Sequence, residues 1–201
     1  MEFFRRIYDL LILIVIILGI IKLFQAEYYL AFTWIILVPL LMLLPRNLYK
    51  INFIKNNYNH KLVDTFEILV LIILITSAGF TLGLKDINID FDSFFHFLNS
   101  VIYTIITGII YYIIRARNYI IPSRLEVTLF TFVFNLVLAV ILWEKFQYFN
   151  DQIFGTKMFY DEFQNIKLDS FLDQVFGSIG TITGSAIAYN KIESWFKIWR
   201  K

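Results

Sequence analysis

The chain contains no cysteine, which excludes disulfide cross-links, thiol nucleophiles and zinc–thiolate centres. Charge is also scarce. Asp, Glu, Lys and Arg make up 17% of the 201 residues, against about 25% in an average soluble domain. The net charge is only +2, and no basic block is interleaved with aromatics in the way a nucleic-acid groove requires, so nucleic acid is not an expected partner. Glycine is sparse at eight residues, and none of it forms a phosphate-cradling loop. With no internal repeat, no low-complexity tract and no linker-like stretch, the sequence predicts a single transmembrane domain over residues 1–201.

Apolar side chains are abundant: 59% of residues are hydrophobic, 19% are aromatic, and the mean hydropathy is +0.68. Uninterrupted apolar runs such as residues 10–21 recur, and segments of about 20 apolar residues match the hydrocarbon thickness of a bilayer. The first run follows Arg5 and Arg6 and extends to Phe24. It is longer than a signal-peptide core and lacks a small-x-small cleavage site, so it reads as an uncleaved first helix. The predicted fold class is all-α: a polytopic bundle of six transmembrane helices, over about residues 3–24, 28–44, 62–84, 91–114, 125–146 and 169–189. Pro45 is expected to close the second helix, Pro39 to kink it, and Pro122 to precede the fifth.

Orientation follows from the basic residues. Thirteen of the 18 Lys and Arg fall at one set of helix ends, which includes Arg5, Arg46, Arg117 and the tail from Lys191. The positive-inside bias places both termini and the 2–3 and 4–5 loops in the cytoplasm, as a multi-pass protein of the plasma membrane with the lipid bilayer as its first partner. In the tail, Trp195, Phe196 and Trp199 alternate with cations and read as an interfacial anchor. Residues 148–168 are too polar to span yet carry Phe149, Ile153 and Phe154, which predicts an amphipathic interfacial segment between helices 5 and 6.

Polar exceptions inside such spans are costly and mark candidate sites. Asp92 and His96 are spaced i, i+4 at the start of helix 4, so they share a face, and a carboxylate there orients the imidazole or stabilises its cation. Asn99 and Tyr103 continue that stripe. Glu144 and Gln147 close helix 5, and Asp169 and Asp173, again i, i+4, open helix 6. Under the predicted topology Asp92, His96, Glu144, Asp169 and Asp173 reach one depth at the outer face. Carboxylates with one histidine suit a divalent metal, and they equally suit acid–base catalysis with His96 and Glu144 as the catalytic pair. Each residue also has a plain structural role open to it: Asp92 and Asp169 as first-turn acids, Glu144 at the interface. Asp64 and Glu67 read as first-turn acids of helix 3, and Asn135 as glue between helices. Gly79 and Gly83, and Gly177, Gly180 and Gly184, are spaced for close helix packing, within the chain or against a second copy or a partner membrane protein.

The ordered set Asp92-x-x-x-His96-Phe97, Trp143-Glu144-x-x-Gln147 and Asp169-x-x-x-Asp173-x-x-x-Gly177-x-x-Gly180 resembles the VanZ-like and YjdF-like small bacterial membrane proteins, over roughly residues 90–188. Phe176-Gly177 stands where the VanZ pattern has an asparagine after its last aspartate, and the Asp169/Asp173 spacing is closer to the YjdF-like branch. The resemblance implies a cell-envelope protein, with some relatives linked to glycopeptide-antibiotic tolerance and no reaction assigned to the group.

Three functions compete on these grounds. The first is an envelope protein with an outward-facing acidic and histidine pocket that binds or acts on a lipid-linked or cell-wall-related ligand, with or without a metal. The second is a small proton-coupled transporter, which calls for a matching polar path from the cytoplasm. The third is a non-catalytic scaffold that docks partner helices on its glycine faces.

Overall fold

The computed structural model describes residues 2–81, 89–118, 120–155 and 165–201, and these are almost entirely helical. Among the described residues, four helical segments are long and apolar enough to cross a membrane: Arg5–Phe24, Tyr28–Tyr49, Asp92–Arg117 and Arg124–Phe154. At about 1.5 Å per residue each is at least as long as the hydrocarbon core is thick. The chain divides into two compact units, residues 1–74 with 199–201, and residues 75–198.

The first unit contains α1 (Glu2–Phe24), α2 (Tyr28–Phe32), a π-helical turn (Thr33–Leu37), α3 (Val38–Tyr49), the short α4 (Asn52–Asn57) and most of α5 (His60–Thr81). One of the two prolines of this segment, Pro45, acts differently from the sequence expectation. Pro39 stands in the first turn of α3, directly after the π-helical turn. The wider turn, in which Val38 N–H donates to the Thr33 carbonyl, accommodates the missing proline donor. Pro45 does not close the helix but lies inside it, and α3 continues to Tyr49.

Arg46, the next residue, holds this last turn in place. Its Nε donates to Glu67 Oε1 and its Nη1 to Asp9 Oδ1. The guanidinium also lies 5.3 Å over the Tyr8 ring, and the Tyr8 hydroxyl donates to the Met42 carbonyl at 3.0 Å. Arg5 approaches Asp64 at 3.6 Å. Glu67, which the sequence suggests is an ordinary first-turn acid, has no exposed surface at all. The chain end joins this unit, with Asn59 N–H donating to the Trp199 carbonyl at 2.7 Å.

The second unit is built on α6 (Ile89–Arg117), α7 (Arg124–Asn135), a π-helical stretch (Leu136–Leu142), α8 (Trp143–Phe154) and α9 (Ile166–Trp199). Ser123 caps α7 by accepting from Glu126 N–H. From there the helix is continuous to Phe154, eight residues beyond the expected end at 146. Gly155 stops it in the left-handed conformation, φ 63°, with its N–H on the Asp151 carbonyl at 3.0 Å. Residues 148–154 therefore extend helix 5 rather than form a separate interfacial piece, and residues 156–164 lie outside the described residues.

Helix α9 is also longer than expected, since nothing in residues 185–199 breaks it. Phe196 stacks on Tyr112 with ring centroids 3.8 Å apart and is buried, as is Trp199, so this part of the tail packs within the protein instead of anchoring it in the interface. The small residues of α9 meet α6. A Cβ at Gly180 would overlap the Phe97 carbonyl, one at Gly184 would lie 2.8 Å from the Val101 carbonyl, and one at Gly177 would lie 3.4 Å from Ser100 Oγ. Gly108 in turn faces Ala188. The pairing order makes α6 and α9 parallel, with backbones closer than ordinary side chains permit. Gly79 lies within α5, and Gly83 lies outside the described residues.

Candidate functional site

The burial pattern along α7 and α8 carries the register that builds the site. Val127, Thr131, Asn135, Val140, Glu144, Gln147 and Asn150 are buried. From Val127 to Asn135 and from Val140 to Asn150 the steps are of three or four residues, and the two runs are joined through the π-helical stretch, Leu136–Leu142. A π turn adds one residue to the helix without advancing its face. An uninterrupted α-helix advances about 100° per residue, so Glu144, nine residues after Asn135, would sit roughly opposite it. The extra residue brings Glu144 back to the side that packs on α9.

On α6, Asp92 and His96 occupy successive turns of one face, with His96 Nε2 3.6 Å from Asp92 Oδ1. The close approach at Gly177 and Gly180 carries Asp173 of α9 to the same nitrogen, with Asp173 Oδ2 3.4 Å from His96 Nε2. Side-chain exposure is 17% for Asp92, 10% for His96 and 7% for Asp173. One donor atom from each of the three lies within 4.8 Å of the others. Two ligand atoms on a tetrahedral metal, with bonds of about 2.0–2.1 Å, are about 3.4 Å apart. The spacing is thus too long for good hydrogen bonds and close to that of a coordination polyhedron. Asp173 Oδ1 is in addition buried without a hydrogen-bond partner, which a coordinated cation would satisfy. Two carboxylates and an imidazole suit a divalent first-row ion, and three protein ligands leave positions open for water or a ligand.

Glu144 lies beside this triad and is engaged differently. Its Oε2 accepts from Ser170 Oγ of α9 at 2.7 Å, and Ser170 Oγ accepts from Gln174 Nε2 at 3.3 Å. Asp169 stands one turn before Asp173. The charges of Asp92, Asp169 and Glu144 all bear on the Asp173 carboxyl. Of the five residues singled out in the sequence, three form a cluster that could hold a metal ion, Glu144 binds Ser170 beside it, and Asp169 contributes charge from the next turn.

Ser170 and Gln174 are polar neighbours of Glu144 that the sequence reading missed. Their i, i+4 spacing runs alongside Asp169 and Asp173, and this parallel polar stripe is the signal that could have found them. Asn99, taken as part of the His96 stripe, instead accepts from Thr76 Oγ1 at 2.7 Å and ties α6 to the end of α5. Asn135 binds between helices, with Thr107 Oγ1 donating to its Oδ1 at 3.4 Å and its Nδ2 donating to the Thr131 carbonyl. The groove between α8 and α9 measures about 520 Å³ and is lined by Glu144, Ser170 and Gln174 together with Lys145, Tyr148, Ile141 and Phe149.

These features define a helical protein whose apolar helices enclose a histidine–carboxylate cluster. No protein-family model, no curated protein and no solved structure matches the chain.

Proposed function

We propose that the chain is a six-span plasma-membrane protein with both termini cytoplasmic, and that Asp92, His96 and Asp173 bind a divalent metal ion in a pocket facing outward. Helix length and apolarity support the membrane setting, and the basic residues support the orientation. Helices α5 and α9, 22 and 34 residues long, complete the six. Gly177, Gly180 and Gly184 of α9 face α6, and these small residues lower its hydropathy.

The observation that carries the site is the meeting of Asp173 with His96 at 3.4 Å across two helices, one turn from Asp92, with Asp173 Oδ1 left buried and unsatisfied. A bound divalent ion would act there as a Lewis acid toward an oxygen of the ligand. Asp92, His96 and Asp173 hold that position, Glu144 holds or moves a proton at its carboxylate, and Ser170 keeps that carboxylate turned toward α9. The order of motifs that resembles the VanZ-like and YjdF-like proteins supports a lipid-linked or cell-wall-related ligand. Gly177, Gly180 and Gly184 are occupied by α6, so a scaffold that docks partner helices on them has less support.

Metal analysis of the purified protein in nanodiscs, after incubation with Zn²⁺ or Mn²⁺ and desalting, tests the site. About one ion per chain is expected, reduced to background in His96→Ala and Asp173→Asn while helical content is retained. Equal metal content in wild type and both variants would refute it.

A further inference from the structure

The groove between α8 and α9 has no role in holding the metal ligands, and its lining has a distinct chemistry. Lys145, Gln174 and Tyr148 provide donors at its walls, and Ile141 and Phe149 provide apolar surface. Among the described residues no carboxylate pairs with Lys145, so its ammonium is available to an anion. The surface there is apolar: Phe149 is 57% exposed. On a helix long and apolar enough to cross a membrane, such surface meets lipid. The groove is therefore reached from the bilayer side, and its occupant needs an apolar body and an anionic head. A volume of about 520 Å³ falls in the usual range for small-molecule sites, roughly 300–1,000 Å³.

We infer that this groove binds the phosphate-bearing headgroup of a membrane lipid, with the phosphate on Lys145 and Gln174 and the first carbons of the tail along Ile141 and Phe149. This rests on the outward-facing pocket proposed above and names its ligand class. Glu144 lines the groove and also acts electrostatically on Asp173, so a headgroup held here lies beside the histidine–carboxylate triad. An isolated carboxylate next to a phosphate would repel it. Here Ser170 donates to Glu144 Oε2, and Lys145 on the same helix turn supplies the opposite charge.

The test measures dissociation constants of the full-length protein in detergent for three probes: a short-chain phosphatidylglycerol, the matching diacylglycerol, and glycerol phosphate. Phosphatidylglycerol is expected to bind at least about tenfold more tightly than either of the others, the scale of one charge-assisted contact. Lys145→Ala is expected to remove about that factor and Lys145→Arg to retain it, with Gln174→Ala giving a smaller loss. Lys145 is exposed, so these variants fold. Equal binding of diacylglycerol overturns the headgroup contact, equal binding of glycerol phosphate alone overturns the lipid as its source, and an unchanged Lys145→Ala overturns the assigned cation. Metal content measured on the same samples separates this inference from the metal reading. Lipid discrimination without bound metal leaves the groove standing and the triad refuted, whereas bound metal without lipid discrimination does the reverse.

Discussion

Asn135 and Glu144 are both buried along one continuous helix, although nine positions apart they would lie roughly opposite each other in a regular α-helix. The π-helical stretch between them absorbs one residue and keeps Glu144 on the side that packs against α9. Deleting exposed Leu138 from this stretch should convert it to α-helix and leave the downstream face in place. Deleting exposed Leu129, upstream in α7, should rotate everything after it by about 100°. Thermal unfolding and metal content are expected to survive the first deletion and be lost in the second. If both deletions behave alike, the π turn does not set the register.

Arg46 pairs with Glu67, whose side chain is fully buried, and Asp9 shares the same guanidinium. Arg46→Ala leaves Glu67 charged and uncompensated. The loss expected from breaking a buried pair this way is about 3–5 kcal/mol, read from denaturation in detergent. Glu67→Gln, which keeps shape and hydrogen bonding, should cost about 1–3 kcal/mol. A fall of under about 1 kcal/mol for Arg46→Ala would show that the pair is not a structural lock.

Gly180 has no room for a side chain against the Phe97 carbonyl, whereas no described residue lies within 4 Å of the Cβ position of Gly155. Gly180→Ala should push α9 from α6 and withdraw Asp173 from His96, so that metal content falls with stability. Gly155→Ala meets only the strain of its left-handed backbone, about 1 kcal/mol. Thermal melts of both variants with metal analysis check this contrast. Retention of the full metal complement in Gly180→Ala would mean that the close approach does not position the site.

The absence of cysteine makes orientation directly measurable. Single variants Lys167→Cys and Arg117→Cys place one thiol at each predicted side of the membrane. An impermeant maleimide applied to intact cells should label the first and not the second until the membrane is opened. The reverse pattern would invert the proposed topology, and with it the outward direction of the pocket.

Helix existence was legible because lipid-length apolar runs and i, i+4 pairs are local patterns. The Asp92–His96 pair needs only one helix and could be read directly. Pro45 misled because a lone proline removes only one backbone donor, and the turn it weakens is held by Arg46, whose partners are on α1 and α5. The end of helix 5 misled because hydropathy falls near Phe146 while backbone hydrogen bonding continues to Phe154. Glu67 gave no sign of its burial, since its partner lies 21 residues away.

From the sequence alone came an all-helical chain, four of its strongly apolar segments, and a short inventory of polar residues with no place to go in lipid. The physical reason is that backbone hydrogen bonding in an apolar medium leaves the helix as the way to close each segment on itself. Which polar residues meet was decided by the tertiary structure. A π-helical stretch in one helix and three glycines in another set the rotation and approach of α6, α8 and α9, and these bring Asp173 to His96 and leave Glu144 to Ser170. Such choices depend on contacts between segments far apart in the chain, which no local pattern encodes.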